Sequence, residues 1–172
     1  MVVIDGSLGE GGGQVFRTAL TLAMLTGNEL RIDNVRAGRS SPGLKNQHLT
    51  ALQAAAAICQ AEVTGDRLGS QRVVFQPGKV QPGRYRFRIP TAGAAGLVLQ
   101  TIYYPLAWAS AASWVEIEGG THMPWSPCFH YLDWHWRPFL QRMGYRLTLT
   151  LEKAGYYPRG GGRLQAVIDQ EE

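Results

Sequence analysis

The chain has 172 residues, enough for one compact domain with a core and short of two comfortable ones. Its 45% apolar content argues against disorder, and a net charge of +4 is too small to identify a partner by itself. The two cysteines, Cys59 and Cys128, make neither a metal-ligand spacing nor a disulfide framework, so a reduced, cytoplasmic compartment is expected. "MVVIDGS" lacks the basic and apolar regions of a signal peptide, and no run of eighteen apolar residues predicts a membrane span.

Along the chain, residues 2–4 are a short β-branched strand, followed by the glycine-rich stretch "DGSLGEGGGQVFR" at 5–17. Residues 14–26 predict a helix with Val15, Ala19, Leu22 and Leu25 on its apolar face and Gly27 as its stop. Residues 29–35 alternate like a half-buried strand. Ser41 and Pro42 then predict a capped helix start, with Leu44, Leu49, Leu52 and Ala56 on its apolar face. Cys59 in this helix reads as a small core residue. "AEVTG" and "RVVFQP" are short strands with turn residues between them.

The order then repeats. Residues 84–90 are a strand, and 92–112 a glycine-led helix that Pro105 should interrupt or kink. Residues 113–119 alternate again, and 126–144 read as a helix with the same Ser-Pro start. Residues 145–151 and 162–169 are the last strands. Placing Gly13 on Gly96 aligns Arg17 with Gln100 and Thr18 with Thr101, and Pro42 falls close to Pro127. The expected architecture is therefore α/β (α+β): two β-α-β-α-β-β repeats, about 1–80 and 83–170 within one domain, each a sheet packed on helices. Neither the G-x-G-x-x-G spacing nor a Gly-Lys-Ser/Thr loop is present, which excludes the two standard nucleotide motifs.

Five glycines in residues 6–13 give a ligand access to backbone, and Gln14 and Arg17 share a face at the start of the next helix. Arg17 could grip a phosphate in a forked geometry, and Glu10 could offer oxygen to magnesium. The plainer alternative is a flexible loop whose glutamate complements the helix dipole. "RAGRSSPGLKNQH" gathers Arg36, Arg39, Lys45, Gln47 and His48 around a turn, as a phosphate-contact surface or as a solvated loop; His48 alone reads as structural. Gln100, in an apolar helix, needs a partner from the protein or from a ligand. "GGTHMPWSP" and "GYYPRGGG" suit stacking on a base or ribose, or serve only as tight connections. His122, His130 and His135 are scattered, so no zinc site is expected, and of Trp134 and Trp136 one should pack while the other is exposed.

In order, "DGSLGEGGGQVFRTAL", "RAGRSSPGLKNQHL", "GSQRVVFQPG", "TAGAAGLVLQT", "GGTHMPWSP" and "GYYPRGGG" resemble the RNA 3'-terminal phosphate cyclases from Ile4 to about Ile168. The resemblance implies repeated β-α-β-α-β-β units and an ATP- and Mg2+- (or Mn2+-) dependent reaction. A histidine takes AMP from ATP, AMP passes to an RNA 3'-phosphate, and the 2'-hydroxyl closes a 2',3'-cyclic phosphate. By motif it makes Glu10 and Arg17 catalytic, with Glu10 the metal-site carboxylate. Arg17, Arg36, Arg39 and Gln47 become RNA-phosphate contacts, and Gln100 and Pro127 line an ATP pocket.

The family is about twice as long, with a third repeat and a small inserted domain. Its nucleotide-accepting histidine matches none of His48, His122, His130 or His135. Cys128 and His130 stand where relatives have a proline and an aspartate, which alters the adenylate edge. A truncated or partial cyclase is thus one expectation, with an exposed sheet edge covered by a second copy or by a partner supplying the missing half. The alternatives are a non-catalytic RNA-binding module, as in the family's ribosome-assembly branch, and a relic that binds a phosphate metabolite.

Overall fold

The computed structural model describes residues 1–169, so residue 170 of the second expected repeat lies outside the described residues. The chain forms two compact units, Met1–Val80 and a second from Gln81 onward. The first contains β1 (Val2–Asp5), α1 (Gly13–Thr26), β2 (Leu30–Asp33), α2 (Asn46–Cys59), β3 (Glu62–Thr64) and β4 (Val73–Gln76). The second contains β5 (Arg84–Arg88), α3 (Ala95–Ala107), β6 (Ser113–Gly119), a composite helix, β7 (Arg146–Lys153) and β8 (Gly162–Asp169). The composite helix joins α4 (Phe129–Tyr131), a π-helical segment (Leu132–Trp136) and α5 (Arg137–Arg142).

Strand order is β1-β2-β4-β3 in one sheet and β5-β6-β8-β7 in the other. In each, the first pair is parallel and the other two pairs are antiparallel. A parallel pair needs a crossover, which α1 and α3 supply. The β-α-β-α-β-β arrangement expected from sequence therefore occurs twice, with one topology.

Alternation along the central strands builds each core. Leu30 and Ile32 of β2 and Val73 and Phe75 of β4 are buried on the sheet face that α1 covers, and Leu20 of α1 and Leu52 and Ile58 of α2 are fully buried with them in the core. In the second unit Val115 and Ile117 of β6 and Leu164, Ala166 and Ile168 of β8 do the same beneath α3. The other face of β5 and β6 carries cross-strand ion pairs, Arg86–Glu116 at 3.6 Å and Arg88–Glu118 at 3.3 Å. Their arginines are exposed, and such pairs contribute little to stability.

Four local expectations change. The buried face of α1 is Phe16, Ala19, Leu20 and Ala23, whereas Leu22 and Leu25 are 53% and 41% exposed. "QVFRTALTLAMLT" is apolar over most of its circumference, so periodicity did not decide which side faces the sheet. With Val2 and Ile4 of edge strand β1, Leu22 borders an open apolar hollow of about 240 Å³ that Ala19, Ala23 and Leu30 also line. The second helix starts at Asn46 rather than at Ser41-Pro42. Gly43 takes a left-handed φ of 81° and donates its N–H to Val35 O, which keeps 41–45 in a loop.

Pro105 does not interrupt α3. It sits in the last turn, and Trp108 N–H still bonds Tyr104 O at 3.1 Å. The composite helix begins at Phe129, whose N–H is taken by Thr121 O, and not at Ser126. Trp136 packs on Tyr103 while Trp134 is 65% exposed, the division of labour expected for the two tryptophans. Cys59 is buried in the core, as expected. Leu20→Ala should cost about 2–5 kcal/mol in urea denaturation, and Leu22→Ala below about 1 kcal/mol. Equal losses would return the buried face to its sequence-based position.

Candidate functional site

At the C-terminal ends of β1 and β2, the loops 5–13 and 34–43 are joined backbone to backbone. Gly6 N–H donates to Asp33 O at 2.7 Å, and Gly38 N–H donates to Gly11 O at 3.2 Å. The Asp5 carboxylate accepts from the Ser7 hydroxyl, the Ser7 N–H and the Asn34 amide, at 2.7, 2.9 and 3.0 Å. These bonds, the Ser7 hydroxyl foremost, hold its pKa below the usual carboxylate value. Gly11 has φ 54°, and a Cβ there would stand 2.6 Å from Gly38 N, so the crossing requires glycine.

Arg17, in the second turn of α1, is only 9% exposed. Its Nη2 donates to Gln14 Oε1 at 2.9 Å, and Gln14 Nε2 donates to Thr18 Oγ1 at 3.0 Å. Among the described residues no carboxylate lies within ion-pair distance of Arg17, and burial lowers its pKa to about 10, which leaves it charged at neutral pH. The absent side chain of Gly13 makes room for Arg17 Nη1 and His48 Nε2, both of which a Cβ there would strike. His48 Nδ1 accepts the Lys45 N–H at 3.3 Å, which places the ring proton of the neutral form on Nε2. Burial, then Arg36, Arg17 and Lys45, push the pKa of His48 down to about 3. A cation and a neutral N–H donor thus meet at a glycine-led helix start.

The other expected phosphate contacts surround this point unequally. Arg39 faces Glu10 with Nη2 to Oε2 at 3.6 Å, and the Glu10 side chain is 92% exposed. Arg36 (φ 56°) donates Nη1 to Ser41 O and Gly43 O, at 2.9 and 2.8 Å, and so closes its own loop. Its pKa is lowered by burial and by Arg39. Gln47 is half-buried in the first turn of α2. Glu10, Arg17, Arg36, Arg39 and Gln47 therefore all belong to the first unit's paired loops and the two helix starts behind them.

Gln100 and Pro127 belong to the second unit. Gln100 is half-buried on α3 one turn after Gly96, and Pro127 O stands 3.5 Å from the position of a Gly96 Cβ. The loops after β5, β6 and β7 meet here. Ala95 N–H donates to Gly120 O at 2.9 Å, Gly120 N–H to Gly93 O at 2.7 Å, and Thr121 N–H to Gly155 O at 2.9 Å. Sequence spacing hid one arrangement: His122 Nε2 lies 2.9 Å from His130 Nδ1, although the two are eight residues apart across a loop and a helix start. Burial and then His130 lower the pKa of His122. Among the described residues, no group of three His, Cys, Asp or Glu could hold a metal ion. None of the helices is long and apolar enough to cross a membrane, among the described residues.

Fold and site together define an α/β protein of repeated β-α-β-α-β-β units, with arginine and glycine gathered where parallel strands end. The sequence profile of the RNA 3'-terminal phosphate cyclase family matches residues 8–172, and the chain belongs to that family. It is 52% identical over 167 residues to the RNA 3'-terminal phosphate cyclase of Ralstonia nicotianae, covering 97% of this chain and 48% of that protein. It is 47% identical over 169 residues to that of Salmonella typhimurium, covering 98% and 50%. With that of Koribacter versatilis it shares 50% identity over 172 residues, covering 100% and 48%. The chain thus spans about half the length of the curated relatives it matches.

Two outcomes test this geometry. Gly9, with φ 62° and open space around a Cβ, should lose about 1–2 kcal/mol on substitution by alanine. Gly11→Ala adds a backbone clash and should lose roughly 2–4 kcal/mol in the same denaturation assay. For His48, the unfolded chain binds the extra proton between pH 6.5 and about 3, so stability is present above pH 6.5 and is lost as pH falls through that window. The slope should approach at most about 1.4 kcal/mol per pH unit and flatten in His48→Gln. An unchanged slope would mean that His48 is protonated in the folded protein.

Proposed function

We propose that this chain carries the terminal-phosphate cradle of an RNA 3'-phosphate cyclase, in which a 3'-phosphate is converted with ATP into a 2',3'-cyclic phosphate through adenylate intermediates. One observation carries the reading: Arg17 is buried as a cation with no carboxylate beside it among the described residues, and it faces a glycine-led helix start. A buried charge needs a compensating partner, and a terminal phosphate supplies one in the forked geometry that guanidinium favours. The His48 Nε2–H adds a neutral donor, and Arg39 adds an exposed cation that a phosphate could draw away from Glu10.

ATP and Mg2+ (or Mn2+) belong to this reading as an activating anhydride and a charge-neutralising ion. The donor set fits magnesium's habit of using one or two carboxylates with water and phosphate oxygens, because Glu10 is a single exposed carboxylate. Gln100 and Pro127 would hold the nucleotide in the second unit, through an amide and a flat apolar edge. The histidine that accepts AMP in the family has no counterpart among His48, His122, His130 and His135 by motif. This reading therefore assigns binding and orientation of the RNA end to the present residues. The apolar hollow beside β1 supports a protein contact at that edge, with a second copy or a completing chain. A cytoplasmic setting fits two unpaired thiols.

Fluorescent oligoribonucleotides ending in 3'-phosphate or 3'-hydroxyl test the cradle. The phosphate end should bind tighter, and Arg17→Ala should remove about 2–3 kcal/mol, roughly 30–150-fold, from that end alone. Loss of affinity equally for both ends would remove Arg17 from the cradle. Incubation with labelled ATP and Mg2+ separates the two functional readings: acid-labile AMP on the protein marks a cyclase, whereas phosphate-selective RNA binding without label marks a binding module. Binding of neither ligand would sink both.

A further inference from the structure

We infer that His122 and His130, in the second unit, form an open two-imidazole site for a first-row divalent cation of the zinc, nickel or copper kind. The inference stands apart from the phosphate cradle and does not rest on it. His122 Nε2 and His130 Nδ1 lie 2.9 Å apart. Two nitrogens bound to one such ion at about 2.0–2.1 Å are separated by roughly 2.8–3.4 Å in square or tetrahedral geometry, so the present spacing suits a shared ion once both rings turn to aim their lone pairs at it. His130 is exposed, which gives its ring a solvent side toward which to turn.

The outer contacts favour the ligating tautomer at His122. Thr121 Oγ1 lies 2.9 Å from His122 Nδ1, accepts the Gly155 N–H at 2.9 Å and donates to Gly155 O at 3.4 Å. With its own proton on that carbonyl, the hydroxyl accepts Nδ1–H, which leaves the Nε2 lone pair facing His130. Metal-bound histidines are commonly oriented through the opposite ring nitrogen in this way. Aromatic rings flank the pair on both sides: His122 stacks on Tyr156 at 5.2 Å and 24°, and Trp134 lies against His130 at 4.9 Å. Trp134 is in the π-helical segment, a distortion that frequently accompanies functional sites. Cation binding takes the place of the proton between the two rings; neutral His130 then carries its proton on Nε2, so two neutral imidazoles bind the ion without net proton release.

With two protein nitrogens and no third His, Cys or carboxylate joining them among the described residues, the remaining positions belong to water or to the oxygens of a ligand. Imidazole pairs select nickel, copper and zinc over magnesium, which prefers oxygen. This separates the site from the magnesium assigned to Glu10.

The test uses the whole chain without a histidine tag. Calorimetric titration with Ni2+ or Zn2+ should show one equivalent bound in the micromolar range, undisturbed by excess Mg2+. His122→Gln and His130→Phe should each weaken binding more than tenfold, and Thr121→Val about tenfold through loss of the orienting bond. Each variant's thermal midpoint is measured alongside; His130 is exposed, so His130→Phe should stay folded. Electron paramagnetic resonance of the Cu2+ form should show coupling to two nitrogens and lose one in either histidine variant. Binding that survives both histidine substitutions, or no binding by the unmodified chain, overturns the assignment.

Discussion

A guanidinium group is expensive to remove from water, and much of the first unit is arranged around having done so with Arg17. Gly13 vacates the space in front of it, Gln14 takes one of its donors, and His48 stays neutral at its side. The crossing of Gly11 with Gly38 holds the two loops close enough for these groups to meet. Without that crossing, Arg39 and Glu10 would be ordinary surface residues on separate turns. The constraint runs from a backbone contact to a charge.

The second unit repeats the scaffold and changes the chemistry. It has the same strand order and the same convergence of loops, yet uncharged Gln100 stands where alignment of the helices places Arg17. Polar side chains gather instead at the loop after β6, where Thr121, His122 and His130 form a line of hydrogen bonds ending against the exposed ring of Trp134. Shared topology thus provides positions, and the side chains decide what each position does.

Much of the fold was legible because alternation and glycine punctuation are local signals. The strands 30–33, 73–76, 113–119 and 162–169 emerge near where their patterns place them. The helix starts were not, since Ser41-Pro42 and Ser126-Pro127 carry capping chemistry in segments that tertiary contacts keep as loops. The α1 face was misplaced because Val15, Leu22 and Leu25 are as apolar as the residues that are buried. At the site, the run of glycines and Arg17 pointed to an anion. The inward position of His48 and the contact of His122 with His130 depend on how loops fold back, which spacing does not encode.

The contiguity of the first unit has a consequence for how the chain is made. Every strand partner in its sheet lies between Val2 and Gln76, and its longest crossing, from β2 to β4, spans one helix and one short strand. Loop closure of this modest length favours fast assembly. During synthesis, the pairing of the first sheet is complete in sequence before any residue of the second has been added. A nascent chain can therefore bury Phe75 and Leu30 while the ribosome is still translating the second repeat, which shortens the time that apolar strands are exposed to neighbouring chains.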